Sequence, residues 1–244
     1  MQRRLTPELM DDPGVARDEL GRSLGYIRWV NRRLGGSAAL LKHLARWSRK
    51  WPRDRAVTVL DLATGSADIP VAVRRWGLAR GFDIRITGVD LHETTLEFAR
   101  EHVAAESARD ARIGEGITLE RGDALRLTER FGAGSFDYVH ASLFLHHLED
   151  VEALTVLRIM DRVSRVGIVW NDLHRSRLHR ALVEVILVGT PRIVRHDARV
   201  SVEAGFTQRE VEAMARRVGA EYARYHRMPG WYRFTLAGER PGRW

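Results

Sequence analysis

The sequence predicts an α/β fold, a mostly parallel sheet with helices on both faces, preceded by a helical N-terminal stretch. Two observations predict the sheet. From Ala56 onward, short and mostly apolar runs recur, as expected of strands buried on both faces. Helix-like segments alternate with them, the pattern of parallel crossover units. A third observation predicts the extension: upstream of Ala56, apolar residues recur at helical spacing instead.

The elements follow in order. Residues 18–50 read as two helices, with Leu20, Leu24, Ile27 and Val30 at helical spacing. Gly35-Gly36 breaks the run, Ser37 can cap the second helix, and Trp51-Pro52-Arg53-Asp54 ends it. Strands are expected at 57–62, 84–89, 117–121, 136–141 and 165–170, with helices at 68–79, 92–105 and 150–163. A helix follows at 177–188, then irregular chain through Val200. The helix at 207–218 opens on a capping pair, Thr207 and Glu210. Residues 221–227 and 232–237 form a last pair of strands, and the GERPGRW tail is frayed. This divides the chain into a helical cap, 1–55, and a ligand-binding domain, 56–244, with a covering insertion at about 174–206.

Composition narrows the function classes. The 244 residues are 44% hydrophobic and 30% charged, a globular balance with enough apolar material for a sizeable core. There is no cysteine, which excludes disulfides, thiolate metal sites and a cysteine nucleophile. No apolar run is long enough to cross a bilayer; the best, 181–188, is short and carries Glu184. MQRRLTPELMDDPG has no apolar core after its arginines, so a cytoplasmic location is expected. The net charge of +8 could draw nucleic acid, but it comes almost wholly from arginines scattered among acids. Nucleic acid is therefore the disfavoured partner.

Open α/β sheets bind ligands outside the carboxyl ends of their strands. After the first strand stands Asp61-Leu62-Ala63-Thr64-Gly65-Ser66-Ala67-Asp68. This is a one-glycine turn into a helix, not the glycine-rich turn that a dinucleotide pyrophosphate needs. Gly65 lets backbone approach a ligand without phosphate, Asp61 can hold the turn or face an ammonium, and Ser66 and Asp68 can cap the next helix. Asp90-Leu91 ends the second strand, where an acid accepts from ribose hydroxyls. Gly122-Asp123-Ala124 follows the third strand, where an acid and a backbone N–H suit adenine. Ser142 ends the fourth.

In order and spacing these pieces resemble the class I S-adenosylmethionine (SAM) dependent methyltransferases over about 57–237. The first motif is similar to that of ubiquinone/menaquinone-type C-methyltransferases. His146-His147-Leu148 and Asn171-Asp172-Leu173 resemble small bacterial methyltransferases encoded beside type III polyketide synthases. The departure is Ala67, where many members carry glycine. The resemblance implies a Rossmann-like class I methyltransferase sheet, mostly parallel with an antiparallel last strand, and an N-terminal helical extension folded over the pocket. It implies SAM as cofactor: Asp61, Ala63, Thr64, Gly65 and Ser142 beside the methionine part, Asp90 and Leu91 at the ribose, Gly122, Asp123 and Ala124 at adenine.

Methyl transfer from a sulfonium is largely a matter of positioning, but a hydroxyl acceptor must also lose a proton, work suited to histidine. His146 and His147 follow the fourth strand, His174 the fifth, and His196 lies in the covering segment. The catalytic candidates are His146, His147 and His196; an adjacent acid could orient His174, through Asp172, or His196, through Asp197, and the plainer reading of each is a packing or solvated histidine. No histidine–carboxylate cluster stands at metal-ligand spacing, so no metal is expected. Tyr26, Arg28, Asn31 and Arg32 are candidates to meet the methionine carboxylate or the acceptor, and 181–188 could wall the acceptor pocket. The expected activity is methylation of a small aromatic, phenolic or quinone-like acceptor, with O- favoured over C-methylation. An RNA methyltransferase and a non-catalytic SAM-binding regulator stay open as alternatives, as does a homodimer.

Overall fold

The computed structural model describes residues 1–12, 14–33, 35–186, 192–228 and 232–243. Two helices, α1 (Arg17–Arg33) and α2 (Gly36–Trp47), precede β1 (Val57–Leu62). Then come α3 (Asp68–Leu78), β2 (Ile84–Asp90), α4 (Glu93–Ser107), the short α5 (Arg112–Glu115), β3 (Ile117–Arg121) and β4 (Phe136–Ser142). The chain continues through α6 (Asp150–Val163), β5 (Ser164–Leu173), α7 (Arg177–Ile186), α8 (Arg192–Ala204) and α9 (Gln208–Val218) to β6 (Arg224–Arg227) and β7 (Arg233–Glu239).

The strands form one sheet in the order β3-β2-β1-β4-β5-β7-β6. β1 to β5 are parallel, and β7 runs antiparallel to both β5 and β6. The order reverses between β1 and β4, whose carboxyl ends therefore open a crevice at the switch point. This is the Rossmann-like methyltransferase architecture that the sequence predicts.

One face of the sheet packs on α6 and α9 around Trp170, which is fully buried edge-on to Phe206 and Phe234. The other face buries Leu40, Leu44 and Trp47 of α2 with Val57, Val59, Val166 and Val169. Burial of each such side chain stabilises by about 1.5–3 kcal/mol. So α2 packs into the sheet's own core. His43 of α2 bonds Thr235 of β7 at 2.8 Å, tying the same helix to the sheet by a polar contact.

Three details depart from the sequence reading. Residues 192–204 are helical, not irregular. Val194, Asp197, Ser201 and Val202 recur at helical spacing, but two of the four are polar, which hid the period. Secondly, α3 carries no side-chain cap from Ser66 or Asp68; its N-cap is Ala67, held at φ 56°. Likewise Gly35, not Ser37, stands at the N-cap of α2. Finally, the last strand pair is shorter at its start, because residues 221–223 form a turn before β6.

Candidate functional site

The crevice opens into a cavity of about 920 Å³. That is the upper end for a small-molecule site and leaves room for two ligands side by side. Its floor is the loops after β1, β2, β3 and β4; its roof is α1, the N-terminal segment, α7 and α8. Among the described residues, no helix is long and apolar enough to cross a membrane.

The loop after β1 is built around Asp61. Its carboxylate accepts from Thr64 Oγ1 at 2.7 Å and from His140 Nδ1 at 2.5 Å. Both oxygens are thus engaged in holding the turn. Gly65 follows at φ 56°, and an added Cβ would meet nothing within 4 Å, so its backbone faces open cavity. Asp90, at the end of β2, accepts from the backbone N–H of Gly65 at 3.0 Å and of His92 at 3.1 Å. Burial raises its carboxyl pKa, and those two donors pull it back. Each oxygen keeps a lone pair for a ligand hydroxyl.

Asp123 accepts from the Leu125 N–H at 2.9 Å, an Asx turn that sets Gly122, Asp123 and Ala124 along the cavity wall. Ser142 ends β4 and its Oγ accepts from Asn171 Nδ2 of β5 at 2.8 Å. Asp61, Ala63, Thr64, Gly65, Asp90, Leu91, Gly122, Asp123, Ala124 and Ser142 all line the one cavity. The structure thus brings these residues together around one cavity.

The histidines separate. His146 and His147 form a 3-10 turn after β4 and line the cavity, their rings 4.2 Å apart. His146 is buried; its Nδ1 donates to Asp172 Oδ1 at 2.6 Å, and its Nε2 lies 3.4 Å from Glu8 Oε1. Asp172 is itself held by the Trp170 indole and the Leu173 N–H. Burial would lower the His146 pKa, but Asp172 and Glu8 outweigh it and raise it to about 10. His147 Nδ1 meets Asp11 at 2.9 Å, and its Nε2 lies 3.8 Å from Glu8.

His196 is a correction: it pairs with Asp197 at 3.1 Å but does not line the cavity, because α8 turns Val194, Asp197, Ala198, Ser201 and Val202 inward instead. His174 also lies outside it, bonded to Tyr225 and Arg227 of β6. His179 of α7 takes a place on the wall. Of the α1 candidates, Tyr26 and Asn31 face the cavity; Arg28 and Arg32 do not. Leu182 and Val183 contribute to the apolar wall, while the side chains of Glu184, Val185 and Ile186 and all of Leu187 and Val188 lie outside the described residues.

Sequence reading missed the N-terminal segment. Glu8 accepts from Ser201 Oγ, and Asp197 accepts from the N–H groups of Leu9 and Met10 at 2.7 and 3.2 Å. Arg3 donates to the carbonyls of Ala204 and Leu148, both at 2.8 Å. The segment is thereby fixed across α8 and the His146 turn. It also corrects the expectation of no metal-type cluster: ligand atoms of Glu8, His146 and His147 lie within 4.8 Å of one another. Contacts this distant in sequence leave no spacing to read.

Comparison with known proteins fits this geometry. Residues 59–167 match the family model described as a methyltransferase domain. Over that segment the chain is similar to a methyltransferase domain. A Nostoc punctiforme PCC 73102 protein provisionally assigned as an O-methyltransferase superposes with a TM-score of 0.63 at 18% identity, covering 98% of this chain and 64% of that one. Magnesium protoporphyrin IX methyltransferase of Synechocystis PCC 6803, with bound S-adenosylhomocysteine (SAH), gives 0.59 at 14% identity, covering 92% and 97%. A plantazolicin methyltransferase in complex with a desmethyl substrate analogue and SAH gives 0.60 at 16%, covering 84% and 70%. At these identities the likeness is one of fold. No curated protein matches the chain.

The cofactor of such a methyltransferase domain is SAM, and the residues present fit it. The open space at Gly65 admits backbone contact with a methionine part, Asp90 keeps acceptor capacity for a diol, and Asp123 lines the same cavity with acceptor capacity for an amine.

Proposed function

We propose that this domain methylates a small aromatic, phenolic or quinone-like acceptor, at oxygen in preference to carbon. One observation carries the reading: His146 and His147 line the same cavity as the cofactor residues, under an apolar roof. That roof includes Leu20, Leu24, Ile27, Val30 and Val183. A flat apolar acceptor suits it, and an RNA backbone does not. The solved structures named above include a magnesium protoporphyrin IX methyltransferase and a plantazolicin methyltransferase, which supports a small-molecule acceptor.

SAM, when bound, supplies a methyl group on a positively charged sulfur. The protein's own residues handle the acceptor. With a pKa near 10, His146 is cationic at neutral pH and donates a hydrogen bond; it is the stabiliser of a developing phenolate, not the base. His147, turned by Asp11, is the residue left to take the hydroxyl proton. Ser142 and the Gly65 turn position the donor side. The roof of α1, α7 and α8 excludes water.

The test is methylation of a panel of simple phenols by purified protein and SAM, with His147→Ala beside it. Methyl ethers formed by the parent and lost in the variant, with SAH binding intact, support the reading. Methyl ethers formed equally by both remove His147 from the chemistry. Methylation of the ring carbons alone overturns the preference for oxygen.

A further inference from the structure

Arg233 opens β7, at the cavity end of the sheet, and its side chain lines the cavity while only 1% exposed. Among the described residues its guanidinium makes one hydrogen bond, from Nη2 to Asn31 Oδ1 at 3.2 Å. Nε and Nη1 are buried without a hydrogen-bond partner among the described residues. A buried, unpaired charge is among the costliest features a fold can hold, and arginine cannot escape it by losing its proton. Burial does push the guanidinium's pKa down, against the pull of Tyr232, Asp172 and Asp68. The N–H groups left over on Nε and Nη1 are charge-assisted donors on a cation, which call for an anionic acceptor such as a carboxylate.

The surroundings say which carboxylate. Asn31 donates from Nδ2 to Asp68 Oδ2 at 3.1 Å, so its amide bridges a cation on one side and an anion on the other. Gly36 makes room for that amide: a Cβ there would lie 2.1 Å from Asn31 Oδ1. Asp68 opens α3 directly behind the Gly65 turn, and it lines the cavity too. A positive fork and a carboxylate held by one asparagine complement an α-amino-acid zwitterion.

We propose that Arg233 is the carboxylate-binding residue of the cavity and takes the α-carboxylate of the cofactor's methionine part, with Asn31 and Asp68 beside its ammonium. A carboxylate on the acceptor is the other source of the same chemistry. The inference rests on SAM as the cofactor and not on the identity of the acceptor.

Calorimetry with SAH and with its decarboxylated analogue, 5′-(3-aminopropyl)thioadenosine, tests it. The parent protein is expected to bind SAH about 10- to 100-fold more tightly than the analogue, the scale of charge-assisted hydrogen bonds. Arg233→Met should erase that preference and leave affinity for the analogue unchanged. Arg233→Lys, which keeps the charge, should retain part of it, and the parent's own preference stands as a readout even where the Met variant does not fold. Equal binding of both ligands by the parent overturns the assignment to the cofactor, as does a preference that survives in Arg233→Met. In either of those cases benzoate, titrated in the presence of saturating SAH, identifies the source. Benzoate binding that depends on Arg233 places an acceptor carboxylate there; no binding removes the carboxylate site altogether.

Discussion

His146 and Asp172 meet through Nδ1 and Oδ1 at 2.6 Å inside the protein, at the ends of adjacent strands β4 and β5. The contact fixes the imidazole's orientation and leaves Nε2 toward the cavity and Glu8. Asp172→Asn should therefore destabilise the fold, because it removes one side of a buried pair, by about 3–5 kcal/mol. Thermal melts at pH 6 against the parent check this, and equal melting temperatures contradict it.

The same group sets a pH dependence. The folded-state pKa of His146 is raised from 6.5 to about 10, so its contribution is full below 6.5 and is lost as pH rises through about 10. Glu8 is lowered from 4.5 to about 2: burial raises it, but His147 and His146 overcome that. Its contribution is full above 4.5 and is lost as pH falls through about 2. The stabilisation from this pair is greatest between pH 4.5 and 6.5. Denaturant midpoints of Glu8→Gln and the parent should differ most in that window and converge toward alkaline pH. A constant difference across pH contradicts the ion pair.

Asp90→Ala should weaken SAH binding by about 10- to 100-fold, the loss of hydrogen bonds to a charged acceptor. The variant also leaves the Gly65 and His92 N–H groups without their acceptor, so melts must accompany the calorimetry. Unchanged affinity removes Asp90 from the site.

Most of the fold was legible in the sequence. The strands β1 and β3 and helix α6 coincide with their expected bounds, because a buried parallel strand and a capped amphipathic helix each write a local pattern. That the loops after β1 to β4 meet around one cavity was legible for a related reason: the fold places such loops at the carboxyl ends of its strands. What stayed hidden depends on contacts across the chain. Glu8 reaches His146, and Asp172 serves His146 when His174 stands nearer in sequence. Arg233 left one local sign, a charged residue opening the mostly apolar run Phe234-Thr235-Leu236-Ala237-Gly238. Ala67 has a geometric reading too: its left-handed φ is a conformation that glycine adopts freely and alanine does not, so the turn keeps a residue that its geometry disfavours.

Val183→Asp should depress turnover of an apolar acceptor through its KM, since a charge on the wall opposes burial of an apolar ring. SAH affinity should be unchanged. Turnover equal to the parent's excludes Val183 from the acceptor wall.

The measurement that bears most directly on the central claim is methyl transfer from labelled SAM into extract of the source cell, followed by separation into organic-soluble, RNA and protein fractions. Label in the organic-soluble fraction, lost with His147→Ala, is the predicted result. Label in RNA, or in no fraction while SAH binding is intact, contradicts it.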